Sequence, residues 1–385
     1  NPVTLSVLTA TVATLSPDWT ASPPPQPLVL LEPAQGIART VTTGSQADRW
    51  PVDTVDVRPL WVGRAGGTLA WITSAGQTMA RLATVQGVTM GEELPAGRQV
   101  VDVRLLDEER LAVLSTPADS SQVADSSLVF VTVYNLPAHL VAFEVGMSLP
   151  DLSPAQVPPF AWDVDANRLY LGEGFDGRLH AVDLQAGTVA TTDLPSPAHR
   201  RQEPPQSTEL SLSAAGGRVA VSGVDHIRLQ GGRGDTFPQA LGIVLLDADL
   251  NVLAHRDDAS TTRAFPIPGS DRVYAFPDGP GALLLDGQLS PLDRLLLGQN
   301  LVDFIPGVTQ SYAITCSDVI CDPSVPPAEG RSATAGARPS GMGRRLLSIQ
   351  SETGQVTGLR SRFSADQTFL PQQALLVSPE PPVML

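Results

Sequence analysis

The pattern in this chain that most resembles a metal site is a run of oxygen-bearing side chains, Asp163, Asp165 and Asn167. Their D-x-D-x-N spacing is that of the first half of a calcium-binding loop. Arg168 stands where such a loop needs glycine, and Gly174 stands where it needs glutamate. The same spacing recurs at 247–251 with the same departures. Asp and Asn are common in hairpin turns, so we interpret both runs as turns and predict no metal site.

Other catalytic and cofactor motifs are missing from the sequence. The histidines form no H-x-x-x-H or H-E-x-x-H pair, and there is no nucleophile elbow, phosphate loop or dinucleotide fingerprint. His180 and His255 lie on predicted outer strands, where a structural role is expected. Cys316 and Cys321 have no second cysteine pair or nearby histidine that would complete a zinc set. We predict no catalytic residue, no cofactor, and a disulfide between these cysteines contributing about 2 kcal/mol.

The elements that must position any site come from a repeated hairpin. Four segments align without a gap: 28–40, 179–191, 243–255 and 346–358. Each has an apolar run, a polar residue at the fifth place and a second strand-like run. Four residues after the polar one stand Gly36, Gly187, Asn251 and Gly354. These residue types suit positive φ at the end of a hairpin loop, so the pattern predicts one β-hairpin used repeatedly.

Period-2 alternation extends these hairpins into four-stranded units. Six complete units are predicted: 55–94, 99–146, 158–193, 208–255, 262–297 and 301–358. The hairpin at 28–40 has no partner strands upstream, and the strands at 368–371 and 374–378 have none downstream. We therefore expect a seventh unit with two N-terminal and two C-terminal strands, which removes the open edges.

The stretch VDANRLYLGEGFDGRLHAVDLQAGTVATTDL (164–194) resembles the blades of the seven-bladed β-propeller superfamily, of the YVTN, quinoprotein or WD-like repeat type. The resemblance extends over about residues 27–380. It implies an all-β fold of seven four-stranded antiparallel blades in a ring closed by the N- and C-terminal strands. Residues 27–385 would form this domain, and residues 1–26 an extended segment with a Pro-rich linker. Propellers host many activities, so the resemblance does not define one. The tryptophans do not recur at blade spacing, which argues against a bound pyrroloquinoline quinone.

In a propeller, the inner strand of each blade faces a central channel. Five carboxylates fall on or beside predicted inner strands: Asp56, Asp102, Asp163, Glu209 and Asp303. Together they could hold a divalent cation, as a propeller lactonase requires. They could instead be the ordinary polar lining of a water-filled channel, and this is the interpretation we favour.

The long loops are expected on one face of the ring. The predicted insertions at 118–126, 224–240 and 317–343 join the second and third strands of their units, and the connection at 194–207 reaches the same face. Candidate binding residues in these loops are His199, Arg200, Arg201, Asp225, His226, Arg228, Arg233 and Asp235, with Arg331 and Arg338 nearby. Such a patch would attract an anionic surface or a partner bearing carboxylates. The loops could also be solvated and inert, and the sequence leaves both interpretations open.

Charge and hydropathy exclude other partners. Acidic residues number 40 against 25 basic ones, and the net charge of −15 argues against nucleic acid. No apolar run reaches the roughly 18 residues of a transmembrane helix. Residues 3–15 are rich in Val, Thr and Leu, and we predict that they pair as an extended strand, along the rim of this chain or on another subunit.

Taken together, these features favour a non-catalytic protein-interaction or scaffold propeller of the bacterial cell envelope, whether periplasmic, secreted or lipid-anchored. Two alternatives remain at this point. One is a hydrolase or lactonase with a cation in the channel. The other is an accessory subunit of a redox complex without a cofactor of its own.

Overall fold

A computed structural model describes about three fifths of the chain. It gives the backbone of the strands between residues 28 and 93, most of 98–316, and the segments 344–358 and 373–376. The longest gaps within 98–316 are 119–126, 196–206 and 229–235. The predicted strands at 3–15 and 368–371 lie outside the described residues. So do Asp56, His199, Arg200, Arg201, Arg233, Asp235, Cys321, Arg331 and Arg338.

The described residues form strands and turns, with no helix, in seven four-stranded antiparallel sheets. We number the sheets in chain order. Sheet 1 contains β1 (Leu28–Glu32), β2 (Ile37–Val41), β3 (Arg49–Pro51) and β28 (Gln373–Leu376). Sheet 2 contains β4 (Pro59–Ala65), β5 (Thr68–Ala75), β6 (Met79–Thr84) and β7 (Thr89–Glu93). Sheet 3 contains β8 (Arg98–Leu105), β9 (Arg110–Pro117), β10 (Ser127–Asn135) and β11 (Leu140–Leu149).

The remaining four-stranded sheets follow in the same way. Sheet 4 contains β12 (Phe160–Asp163), β13 (Arg168–Gly172), β14 (Arg178–Asp183) and β15 (Val189–Asp193). Sheet 5 contains β16 (Ser207–Ala215), β17 (Arg218–Arg228), β18 (Thr236–Asp247) and β19 (Val252–Arg256). Sheet 6 contains β20 (Thr261–Pro266), β21 (Val273–Pro277), β22 (Gly281–Leu285) and β23 (Pro291–Leu296). Sheet 7 contains β24 (Asn300–Ile305), β25 (Gln310–Cys316), β26 (Arg344–Gln350) and β27 (Val356–Gly358).

Sheets 2 to 7 are meanders whose strands pair in chain order. Each corresponds to one of the six units predicted from the sequence. A succession of four-stranded antiparallel meanders is the blade topology of a β-propeller, so the predicted all-β fold class is confirmed.

Sheet 1 departs from the prediction in its composition. β28 pairs with β1, with Leu28 opposite Leu376, as expected for a sheet shared by both ends of the described chain. The expected division into two N-terminal and two C-terminal strands is wrong, because the described sheet has three N-terminal strands and one C-terminal strand. The unpredicted strand β3 is only three residues long, too short to show an alternating pattern.

The repeated hairpin comes in two forms. Gly187 and Gly354 have φ values of 69° and 70°, as predicted, and their loops close between residues five apart, such as Asp183 and Thr188. The prediction for Asn251 is wrong, because Leu250 carries the positive φ, 66°.

The second form of the hairpin loop is one residue shorter. It closes between Asp247 and Asn251, and again between Asp286 and Ser290, where Leu289 has a φ of 58°. Leu250 and Leu289 are 5% and 2% exposed. Burial of a leucine, about 2 kcal/mol, offsets the roughly 1–2 kcal/mol cost of the left-handed backbone.

The chain divides into two compact units. One comprises 1–54, 279–282 and 293–385, and the other 55–278 and 283–292. The first contains sheets 1 and 7, while sheets 2 to 5 lie in the second, with most of sheet 6. None of the helices sought among the described residues has the length and apolar character needed to cross a membrane.

The core of the second unit lies between successive sheets. On β17, Val219 and Val221 pack toward sheet 4 against Tyr170 and Leu179, whereas Ala220 packs toward sheet 6. A strand buried on both faces in this way is hydrophobic at consecutive positions. Sheets 3 and 4 are joined by a third cluster that includes Leu114, Val131, Leu169 and Val182.

The second strand of a sheet begins with arginine, or directly follows one, in four consecutive sheets: Arg110, Arg168, Arg218 and Arg272. Two of these reach into the next sheet. The Arg110 guanidinium donates to the carbonyl of Leu184 at 3.4 Å and to Asn167 Oδ1 at 3.1 Å, and that of Arg218 donates to the carbonyl of Ile267 at 3.2 Å. The recurrence R-Φ-[AY]-Φ is a local signal, present in the sequence, that marks these positions.

Candidate functional site

The carboxylates predicted to line a channel are engaged separately. Asp102 Oδ2 accepts a hydrogen bond from Trp162 Nε1 at 2.8 Å and forms an ion pair with Arg104 at 3.3 Å. Glu209 is largely exposed and lies 3.2 Å from His226 Nε2. Asp303 lies on β24, but its side chain is outside the described part of the structure.

Asp163 joins two sheets through their turns. Its Oδ1 accepts from the amide of Ala166 at 3.1 Å, and its Oδ2 accepts from the amide of Gly217 in sheet 5 at 2.7 Å. Burial raises the pKa of this carboxyl, while the two amides act in the opposite direction. Asn167, with a φ of 52°, ends the same turn. Asp163 and Asn167, the first and last residues of the D-x-D-x-N run, are therefore engaged in hydrogen bonds within the turn and between sheets.

A regular extension of sheet 5 replaces the predicted loop at 224–240. That prediction is wrong, because β17 continues to Arg228 and β18 begins at Thr236, leaving only 229–235 between them. β17 and β18 have 11 and 12 residues, whereas the corresponding strands β13 and β14 of sheet 4 have five and six. The alternation of Val224, Asp225, His226 and Ile227 is compatible with a strand, but the glycine-rich segment beyond it favoured the loop interpretation.

The extension, which we call the sheet 5 arm, consists of residues 207–209, 224–228 and 236–240. Its register is continuous, with Asp225 opposite both Thr208 and Gln239. Five residues at about 3.3 Å each make the arm roughly 16 Å long. β19 pairs only with residues 243–246 of β18, so the described arm is three-stranded.

A glycine-based bulge separates the arm from the rest of sheet 5. The register shifts between Ser222 and Val224, and Gly242 opposite has a φ of 87°. At Gly223 an added Cβ would lie 2.6 Å from the carbonyl oxygen of Glu209, so only glycine allows this approach of the two backbones. Bulges of this kind bend a sheet and re-aim the strands beyond them.

The arm brings together two of the predicted binding residues, on opposite faces. Asp225 is 1% exposed, and its Oδ1 accepts from Thr208 Oγ1 at 2.5 Å. His226 faces the other side, half-buried beside Glu209. Arg228 ends β17, and its side chain is outside the described part of the structure. Asp225 therefore stabilises the arm from within, and the Glu209–His226 pair forms part of its accessible surface.

A buried polar cluster fastens the same end of neighbouring sheet 4. Glu173 Oε1 lies 2.6 Å from His180 Nε2, and His180 Nδ1 lies 3.0 Å from Thr191 Oγ1. Arg178 donates to the second oxygen of Glu173 at 3.1 Å. Glu173 and His180 are 3% and 6% exposed, and both carboxylate oxygens and both ring nitrogens have partners. No motif in the sequence identifies Glu173. It comes close to His180 only because β13 and β14 pair through the turn that joins them.

The opposite end of sheets 5 and 6 carries a shallow cleft between turns. It is lined by Arg218, Leu253, Asp271, Asp286 and glycines at the turn positions. Arg218 is already hydrogen-bonded to Ile267, and Asp286 Oδ1 accepts from the amides of Gln288 and Ser290. Its polar groups are thus largely committed to holding the turns. Among the described residues, no three His, Cys, Asp or Glu side chains are grouped as metal ligands.

The repeated meanders and the arm define the class of this protein as a β-propeller with an extended blade. No protein-family model matches the chain, and no curated protein matches its sequence.

The chain is similar to several solved structures, with low sequence identities and TM-scores below 0.5. BamB from Moraxella catarrhalis is 15% identical with a TM-score of 0.43, covering 73% of this chain and 74% of that one. BBS1N in complex with ARL6DN is 12% identical with a TM-score of 0.46, covering 75% and 83%. Streptogramin B lyase is 12% identical with a TM-score of 0.39, covering 68% and 78%. Similarity at this level carries no argument about activity.

Proposed function

We propose that this chain is a non-catalytic interaction or scaffold propeller of a bacterial cell-envelope complex, in which the seven sheets form one ring closed through sheet 1. The observation that carries the proposal is the sheet 5 arm. An arm of three paired strands keeps its shape when it projects, and rigid projections lose little conformational entropy on binding.

The internal bonding of the arm supports a binding role over a catalytic one. Thr208 and Asp225 fix β16 to β17 from the buried side, and the Glu209–His226 pair presents a charged group on the other. The polar cluster of Glu173 and His180 stabilises the adjoining end of sheet 4. Charged groups at a protein surface select partners by electrostatic complementarity and help to set the register of docking.

The alternative of a channel cation receives no support from the described carboxylates. Asp102 and Asp163, two of the five proposed ligands, already bind Trp162 and turn amides. The periplasmic, secreted or lipid-anchored location stays part of the proposal, together with a partner subunit that docks on the end of the propeller bearing the arm.

The test is to shorten the arm without disturbing the blade. Replacing residues 225–239 by an Asn-Gly turn should leave a hairpin like those of the neighbouring sheets. In the producing bacterium, the tagged chain should migrate in native gels of envelope fractions as a complex larger than the monomer. The shortened variant should run as the monomer while keeping the melting temperature of the parent.

A matched control removes residues 119–126, in the connection between β9 and β10. This variant should stay in the complex. An unchanged complex after shortening the arm, or recovery of the chain only from the cytoplasm, would contradict the proposal.

A further inference from the structure

The outer edge of β11 differs from the other described fourth strands. β11 has ten residues, whereas β15, β19 and β23 have five or six. Among the described residues it pairs only with β10. Long edge strands expose unpaired backbone groups, and proteins usually protect them with charged residues or proline.

The usual protection is present on the neighbouring edges and lacking on β11. β19 ends with His255 and Arg256, and β23 begins with Pro291 and carries two charges. The one ionisable residue of β11, Glu144, accepts two hydrogen bonds from Arg98, at 2.9 and 3.1 Å, and one from Thr132 at 3.0 Å. Its carboxylate is therefore held against the face of sheet 3, where it does not prevent another strand from pairing with the edge of β11.

The side chains of β11 define what an added strand would have to match. Phe143, Val145 and Met147 are half-buried and pack on the core between sheets 3 and 4. Glu144, Gly146 and Ser148 alternate with them on the exposed face. An added strand would extend the core on the first face only if it alternates in the same way, with small uncharged polar residues on the second.

One segment of this chain has that pattern. Residues 3–7, Val-Thr-Leu-Ser-Val, alternate apolar and small polar residues with no charge. Beside β11, the three apolar side chains would cover Phe143, Val145 and Met147. The three consecutive prolines at 23–25 favour an extended spacer before sheet 1, and for this reason we assign the segment to an edge on another molecule.

We propose that residues 3–7 of a second copy of this chain add to the outer edge of β11 as a fifth strand of sheet 3. This association is separate from docking on the sheet 5 arm. If the two copies exchange segments, each contributes one five-residue strand to the other. The buried interface is small, so the dissociation constant should be on the order of micromolar.

The experiment compares the full chain with two variants and a matched control. One variant lacks residues 1–17, and the other is Ser148→Lys, which places a charge on the edge of β11. The control, Ala190→Lys, places the same charge at an exposed position of β15. Sedimentation velocity from about 1 to 100 µM gives the dissociation constant, and hydrogen exchange reports the amides of 140–149.

The full chain should dimerise, and the control should match it. Ser148→Lys should raise the dissociation constant at least about tenfold, and the truncated chain should be monomeric with faster exchange in β11. A synthetic peptide of residues 1–17 should restore slow exchange to the truncated chain. Dimerisation that survives both variants would overturn the proposal. So would a full chain that is monomeric, whether β11 is protected by its own segment or exchanges rapidly.

Discussion

Gly187 offers a direct test of how neighbouring sheets pack. The residue has a φ of 69°, and a Cβ added to it would lie 3.0 and 3.1 Å from two ring carbons of Phe143 on β11. Gly187→Ala therefore introduces backbone strain and overpacks the contact between sheets 3 and 4. Strain costs about 1–2 kcal/mol, of which roughly 0.4–1 is offset by the lower entropy of the unfolded chain. Overpacking adds about 1–3 kcal/mol, so we expect a total destabilisation of roughly 2–4 kcal/mol.

Gly217→Ala is the matched control. Its φ of 75° imposes similar backbone strain, but the nearest atom to an added Cβ is that of Ala248, at 4.0 Å. The control should lose only about 1 kcal/mol. Urea unfolding followed by tryptophan fluorescence gives both values, and unchanged m-values show that the comparison holds. Repeating Gly187→Ala in a Phe143→Leu background should remove most of the difference. Equal losses for the two alanine variants would refute the reasoning, as would a difference that persists without the phenyl ring.

Three further predictions follow from the loops and ion pairs. Leu250→Gly relieves left-handed strain but empties a buried site, so it should destabilise the chain by about 1–3 kcal/mol in urea unfolding, and a more stable variant would contradict this. The hydrogen bonds from Arg98 lower the pKa of Glu144, so their contribution to stability should be present above pH about 4.3 and be lost as the pH falls through the lower folded value. Glu144→Gln should flatten that part of the stability–pH profile, and an identical profile would exclude the pair as its source. If Cys316 and Cys321 form a disulfide, thiol titration of the unfolded, unreduced chain should detect no reactive thiol. Reduction should then lower the free energy of unfolding by about 2 kcal/mol. Two titratable thiols would rule the disulfide out.

Strand positions were largely predictable because alternation is a local property. The hairpin at 179–191 and its partner strands emerged at nearly the observed bounds, since burial on one face imposes period 2. The positive φ at Leu250 was not predictable from local preference, because it depends on a buried pocket supplied by sheets 4 and 5. At such positions the free energy gained by packing the side chain outweighs the local backbone preference of the residue.

The candidate site was less accessible to sequence reasoning. Asp225 and His226 were predicted among the binding residues of a long loop. The bulge beside Gly223, where the backbone closely approaches the carbonyl oxygen of Glu209, depends on a contact between strands. The pairing of Glu173 with His180 depends on how the ends of β13 and β14 meet. Long-range contacts of this kind leave no periodic signal along the chain.

The arginines that begin the second strands have a consequence for synthesis on the ribosome. Arg110 finds its acceptors 57 and 74 residues later, at Asn167 and Leu184, and Arg218 finds Ile267 49 residues later. Each such sheet emerges with a guanidinium whose acceptors are not yet made. Sheets 3 and 5 should thus reach full stability only when the next sheet has been translated, at about 5–20 residues per second.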